Sequence, residues 1–425
     1  MNKQNLREYW KFNFFTVFFG FGGSVWGGLT FFIGIPVAYL TYLDASSMQI
    51  GLITAIFWAG FALPQIWAAY VSEAKLIKKY FLAAVWISSS ITWLIIGVYI
   101  LLTGASDKDL SIWLFLLLFA WACSLTGMYW PAVFSMIFKI IPTPKLGKLI
   151  GLWMAVQYGA LFVSGPFIKK INIKFAQPVN YAVLFLLTFI ITVFSTVILL
   201  WVKEPEGEEL KASPDFISYL KKCVNIIKTD KHFTRFIVGK WLMTGHYIML
   251  AFLMAYLIKE RGFDPLNSGW LTSLNGLGLC IGGLTIVKIA DIYGPKYMLL
   301  TSHILVVIYT IIAWLVPSTG SGIFYAAFVI TGLAQISDNI GYSNMTMLLC
   351  PTLDKSTYGA VVNVGVNMLT IPLPIIFGIL MDKGILNYNG TFTIAISMMV
   401  AAIIYILVVI KNPKAFIEMK ASYQG

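Results

Sequence analysis

KEPEGEELKASPDFISYLKKCVNIIKTDKH, residues 203–232, is the one long, strongly charged stretch in an otherwise apolar chain of 425 residues. It decides the fold because of what flanks it. On each side lie six apolar runs, each about as long as the roughly 20 residues that a helix needs to cross a bilayer core. Before it the runs cover 12–42, 46–70, 80–103, 111–138, 148–168 and 179–202. After it they cover 236–258, 266–289, 297–317, 322–349, 357–381 and 391–410. Runs of this length are helices, because backbone polar groups in lipid must bond within their own segment. The short alternating segments of a membrane barrel do not occur. The expected fold class is an all-α integral membrane protein. Its twelve transmembrane helices form two six-helix bundles, residues 1–203 and 233–425, joined by a linker over 204–232.

Composition agrees. Hydrophobic residues make up 59% and charged residues 11%, against about 25% charged in a typical soluble domain. The net charge of +12 comes from loops at one side. Lys3, Arg7 and Lys11, then Lys75, Lys78 and Lys79, then Lys139, Lys145 and Lys148 all fall on the side of the N-terminus. By the positive-inside rule that side is cytoplasmic, and an even number of spans returns the C-terminus to it. Lys169, Lys170 and Lys174 are the exception outside. Charges dispersed among loops in this way exclude a nucleic-acid partner; membrane lipid is the partner they fit. The expected place is the cell membrane. The polar residues 1–11 and a first run too long for a signal h-region predict no cleaved leader. Cys123, Cys223, Cys280 and Cys350 show no metal-binding spacing and are expected as free thiols. No cofactor is expected.

Within the connection, Phe216, Tyr219, Leu220, Cys223, Ile226 and Ile227 recur at helical spacing among Lys221, Lys222 and Lys228. This predicts an amphipathic helix on the membrane surface, tethering two bundles. The bundles repeat one another. A shift of 218 residues aligns Gly51 with Gly269, Thr54 with Thr272, Gly60 with Gly278, Glu73 with Asp291, Lys78 with Lys296 and Leu82 with Leu300. Duplicated halves about an axis along the membrane normal are a transporter architecture.

The second copy of that loop, Asp291-Ile-Tyr-Gly294-Pro-Lys296, resembles the inner-loop signature G-x-x-x-D-R-x-G-R-[RK] of the major facilitator superfamily. Asp291, Gly294 and Lys296 match it, while Val287, Ile292 and Pro295 depart. In the first copy Glu73 and Lys78 keep the charge types; Ala69, Ala74 and Leu76 replace Gly, Arg and Gly. The resemblance implies that Glu73, Lys78, Asp291, Gly294 and Lys296 gate the chain by holding the bundles together in one access state. It also implies a monomer whose halves rock about a midplane site lined by spans 1, 4, 7 and 10.

Several residues are candidates for that site. Trp26 lies in span 1 among Gly20, Gly22, Gly23, Gly27 and Gly28, glycines that suit close helix packing. Tyr129 and Trp130 precede Pro131 in span 4, and Trp153 and Gln157 stand beside Tyr158 in span 5. Trp10, Trp113 and Trp201 lie near span ends, as interfacial tryptophans do. Gln335, Asp338, Asn339 and Tyr342 form one polar stripe on span 10 by their i, i+3, i+4, i+7 spacing. Asn363 and Asn367 on span 11, and Asn275 on span 8, either bind substrate hydroxyls or bond between helices.

Ionisable groups inside a bilayer are costly and mark function. Lys240 and His246 in span 7 and Asp338 in span 10 are such groups. His246 and Asp338 lie at similar depth by the rise of 1.5 Å per residue. Lys240, close to the inner end of its span, is expected to snorkel to water. A carboxylate in low dielectric binds its proton more tightly, so Asp338, helped by His246, is the candidate proton-coupling group. A paired structural carboxylate on a kinked helix is its other reading.

The resemblance therefore implies a secondary transporter working by alternating access. With Lys240 the one cation available in the spans, and that one expected to be shallow, the expected substrate is a small organic solute, neutral or weakly charged, sugar-like or aromatic. Uniport stays open, since the first half places no acid in its spans. The alternative is an exporter of drugs, amphipathic compounds or lipids, favoured by the aromatic first half and by Gly165-Pro166, which partly resembles an antiporter motif. Enzyme chemistry is not expected: no G-x-x-x-x-G-K-[ST] or H-E-x-x-H occurs, and His232, His246 and His303 are scattered.

Overall fold

The computed structural model describes residues 35–73, 77–140, 146–205, 228–286, 292–317, 322–349 and 355–413, and a few isolated positions between them. Among these residues every regular element is helical. In chain order they are α1 (Ile35–Tyr42), α2 (Ser47–Glu73), α3 (Lys79–Thr103), α4 (Lys108–Ile140), α5 (Leu146–Lys174) and α6 (Val179–Leu200). Next come α7, in two segments (Lys231–Leu242 and Thr244–Lys259), α8 (Ser268–Thr285), α9 (Pro295–Leu315) and α10 (Gly322–Leu349). The last are α11, again in two segments (Lys355–Thr370 and Pro372–Asp382), and α12 (Tyr388–Val408). Nine helical stretches among the described residues are long and apolar enough to cross a membrane. α5 and α8 form where the fifth and eighth spans are expected, and α1 is the described end of the first. Trp26 and the glycines around it lie outside the described residues, as does most of the expected surface helix in the connection.

The internal repeat reappears as packing. In the first half α2 crosses α4 where Gly60 lies against Cys123 and Gly127 against the Gly60 and Phe61 carbonyls. In the second, α8 crosses α10 where Gly278 lies against Val329 and Gly332 against the Asn275 carbonyl. None of these positions has room for a Cβ. Gly60 and Gly278 are one of the aligned pairs. The starts of α3 and α9 are held alike. Glu204, beyond α6, accepts from the Lys78 and Lys79 amides at 2.8 Å each. Asn412, beyond α12, accepts from the Lys296 amide at 3.1 Å. Lys79 Nζ donates to the Val202 carbonyl at 3.1 Å and Lys296 Nζ to that of Leu407 at 2.9 Å. A helix start has unmade N–H bonds and a helix end unmade C=O bonds; here a side chain from each end satisfies backbone groups of the other within one half.

The halves meet where α2 packs on α11 and α5 on α8. Gly51 abuts the Pro374 carbonyl, Gly378 abuts Ser47 and Met48, Gly165 abuts Gly269 and Ser273, and Gly276 abuts Phe162. These contacts lie toward the end of the bundle opposite the 203–232 connection.

The fifth apolar run ends at 168, just past Pro166, but α5 runs on to Lys174. Proline has no N–H, so the Phe162 carbonyl four residues earlier loses its helical partner. Ser273 of α8 donates its hydroxyl to that carbonyl. The Gly165-Pro166 pair thus serves a contact between halves: glycine gives room, and proline frees an acceptor. α11 is interrupted at Ile371, before Pro372. Trp10, Trp113 and Trp201 are exposed, as side chains facing lipid should be. Cys123 and Cys280 are free thiols; Cys223 and Cys350 lie outside the described residues.

Gly278→Ala should overpack the α8–α10 crossing and lower stability by about 1–3 kcal/mol, seen as earlier thermal unfolding of the purified protein. Gly159→Ala, where a Cβ meets nothing within 4 Å, should be neutral or stabilise by up to about 1 kcal/mol. Equal effects at both positions would contradict the crossing described.

Candidate functional site

The polar stripe on α10 is the hub of the site, and each of its four members meets a different helix. Gln335 Oε1 accepts from Asn275 Nδ2 of α8 at 3.2 Å. Asp338 takes Lys240 Nζ of α7 on both carboxylate oxygens, at 2.6 and 2.7 Å. Asn339 meets the Tyr158 hydroxyl of α5. Tyr342 donates its hydroxyl to Asn363 Oδ1 of α11 at 2.6 Å. Asn363 Nδ2 in turn donates to Gln65 Oε1 of α2 at 3.2 Å. α10 is thereby bonded to α8 and α11, which pack on the first half, and is linked through Asn363 and Gln65 to α2 of the first half, with Tyr158 of α5 beside Asn339.

The Lys240–Asp338 pair is deeply buried, with side-chain exposures of 4% and 12%. Lys240 also lies over the Tyr342 ring, 5.2 Å from its centroid, and 3.4 Å from Met243 Sδ. This corrects the expectation that Lys240 snorkels. α7 begins at Lys231, capped by Asp230, which accepts from the His232 and Phe233 amides at 3.0 Å each. Lys240 therefore sits about two and a half turns in, deeper than an apolar run starting at 236 suggests. At that depth, pairing offsets the cost of two lone charges.

His246 is directed elsewhere than expected. Its Nδ1 bonds the Tyr309 hydroxyl of α9 at 2.7 Å, and its ring lies 5.0 Å from that of Tyr247. So Lys240, not His246, is the direct partner of Asp338. The α7 interruption at Met243 separates the two residues.

Tyr129 is 1% exposed, within a cluster containing Leu82, Val85, Trp86, Val133 and Leu199 of the first half, its ring 5.0 Å from Trp86. It is core packing, not part of the polar group around α10. Trp130, Trp153 and Gln157 lie on α4 and α5, with side chains outside the described residues. Among the gating candidates, Asp291 and the Glu73 side chain also fall outside. Lys78 and Lys296 start α3 and α9 within their own halves, as above. Gly294 caps α9 with φ of 93°, in a region that favours glycine.

Other members were not evident from the sequence. Trp58 of α2 stands edge-on to Tyr247 of α7, ring centroids 4.9 Å apart, which joins the halves through an aromatic contact. Gln65 is an isolated amide in an apolar run; its position after Pro64 was the available signal. His303 of α9 is 1% exposed and donates from Nδ1 to the Leu299 carbonyl at 2.7 Å. Trp58 Nε1, Gln335 Nε2, Asn275 Oδ1 and His303 Nε2 are buried with no partner among the described residues. No group of His, Cys, Asp and Glu among those residues has the form of a metal site.

The Major Facilitator Superfamily family model matches residues 12–269 and 238–424. No curated protein matches. Among solved structures, a variant of the nucleoside transporter NupG is similar with a TM-score of 0.71 and 12% identity, over 94% of this chain and 100% of that one. A POT family transporter in complex with 5-aminolevulinic acid gives 0.69 and 12%, over 95% of each chain. The E. coli fucose:proton symporter FucP gives 0.56 and 13%, over 94% of this chain and 98% of that one.

Lys240→Ala should destabilise by about 3–5 kcal/mol, because it strands the Asp338 carboxylate in the interior. Adding Asp338→Ala should restore much of the loss. A thermal-unfolding double-mutant cycle measures this, and additive losses would show that the two groups do not depend on each other.

Proposed function

Because the chain belongs to the Major Facilitator Superfamily, we propose that this secondary transporter moves a small organic solute, neutral or weakly charged, by proton-coupled alternating access. The observation that carries this is the buried Lys240–Asp338 pair on facing helices, wired through Tyr342 and Asn363 to Gln65 of the other half. Protonating Asp338 removes the charge that holds Lys240. The freed ammonium keeps Tyr342 and Met243 as its contacts among the described residues, so the Tyr342–Asn363–Gln65 contact between halves is disturbed in the same step. A proton is thereby turned into a bias on the interface. A solute that supplies an acceptor to Lys240 stabilises the released state, which couples the two loads.

Trp58 Nε1 supplies a donor beside the Tyr247 ring, and Gln335 Nε2 and Asn275 Oδ1 supply a donor and an acceptor between α8 and α10. Buried polar atoms without partners cost about 1–3 kcal/mol each, so a solute that pairs with them is favoured. That combination suits a sugar-like or aromatic polar molecule. The aromatic wall of Phe57, Trp58, Phe61 and Tyr247 is what favours the second possibility, export of amphipathic compounds or lipids. The basic loops support a cell-membrane location with both termini cytoplasmic, an orientation in which the close contacts of α2 with α11 and α5 with α8 lie outside. It acts as a monomer, residues 1–203 rocking on 233–425 with 204–232 as the tether.

Thermal stabilisation of the purified protein by nucleosides, hexoses, short peptides, amino acids and amphipaths, at pH 5.5 and 7.5, identifies the ligand class, since a ligand stabilises the state it binds. For the solute that stabilises, proteoliposomes with wild-type protein should accumulate it under an inward proton gradient. Asp338→Asn should lose that accumulation and keep exchange of solute for solute. Full gradient-driven accumulation by Asp338→Asn would end the coupling proposal, and stabilisation by amphipaths alone would favour export.

A further inference from the structure

The start of α2 is capped from two sources. Its first-turn amides at Ser47, Met48 and Gln49 have no partner within the helix. Ser46 and Gln49 form a reciprocal capping box: the Gln49 amide donates to Ser46 Oγ at 3.2 Å, and the Ser46 amide donates to Gln49 Oε1 at 2.8 Å. Ser47 and Met48 are left, and both are satisfied from the other half. The Ser47 amide donates to Asp382 Oδ1 at 2.7 Å and the Met48 amide to Asp382 Oδ2 at 2.9 Å.

Asp382 is the last residue of α11. A carboxylate at that end opposes the dipole of its own helix. α11 gives no reason for it, whereas the positive N-terminal end of α2 does. Gly378, one turn earlier, has no room for a Cβ against Ser47 and Met48, and Gly51 has none against the Pro374 carbonyl. These contacts bring the helices close enough for one carboxylate to reach both amides. Glu204 and Asn412 cap α3 and α9 in a similar way, but inside one half, where rocking need not break them. The Asp382 bonds cannot survive separation of α2 from α11.

We propose that Asp382 is a gating residue that holds the outer side shut by capping α2 across the interface. This rests on the rocking cycle proposed above. Opening exchanges two charge-assisted bonds to protein for bonds to water. The net bias toward closure is therefore small, as a contact broken in every cycle requires.

The test uses the full-length protein in nanodiscs, with native cysteines replaced and spin-label pairs at Ser106 and Glu260 for the outer side and at Tyr80 and Tyr297 for the inner. Asp382→Ala should raise the outer-open population about fivefold, the effect of one lost helix cap, with a matching inner closure. Asp382→Asn retains an accepting oxygen and should stay within about twofold of the parent, and Asp382→Ser should fall between, since Asn caps nearly as well as Asp. Unchanged distances in Asp382→Ala, or no gradation through Ser to Asn, overturn the latch. If two populations still appear in the parent at pH 5.5 against 7.5, rocking stands without it. A single distance at each end in every variant overturns the latch and the rocking cycle together.

Discussion

A lysine and an aspartate buried together in the second half set the terms for the rest of this protein. Neither is tolerable alone at that depth. Their pairing therefore constrains α7 to lie against α10 at one register, with Lys240 on both oxygens of Asp338. The Tyr342 ring under the ammonium and the Asn363 and Gln65 amides beyond it extend the constraint to α11 and α2. One titratable group is thus in mechanical contact with the boundary between the two bundles.

That boundary is built on close approach. Glycines bring α2 to α11 and α5 to α8 at backbone distance, and one buried apolar cluster, with Ile53 and Phe57 of α2 and Phe252 and Leu253 of α7 among its members, runs through both halves. Pro166, inside a continuous α5, shows the economy of the design: the carbonyl it frees becomes the acceptor for Ser273 of the opposite half. The caps divide similarly. Those of α3 and α9 tie each bundle together, while that of α2 ties one bundle to the other.

Much of this was legible in the chain. The stripe of Gln335, Asp338, Asn339 and Tyr342 follows from helical periodicity, and the glycine pairs of the internal repeat recur as equivalent crossings. The partners were not legible. Lys240 looked shallow because its helix begins five residues before the apolar run, under an Asp230 cap whose side chain the hydropathy pattern does not register. His246 matched Asp338 in depth but turns toward Tyr309, because depth along a helix says nothing of azimuth. Tyr129, an attractive aromatic in a cavity span, is core packing beside Trp86.

By itself the sequence determined that this is a helical membrane protein of two related halves with a polar, ionisable stripe in the second. Those properties depend on the length, periodicity and repetition of local segments, which lipid enforces residue by residue. Only the tertiary structure decided that Lys240 pairs with Asp338, that Trp58 meets Tyr247, and that Asp382 caps a helix 334 and 335 positions away in sequence. Such contacts arise from how helices rotate and cross, and no local pattern encodes rotation between elements so distant in the chain.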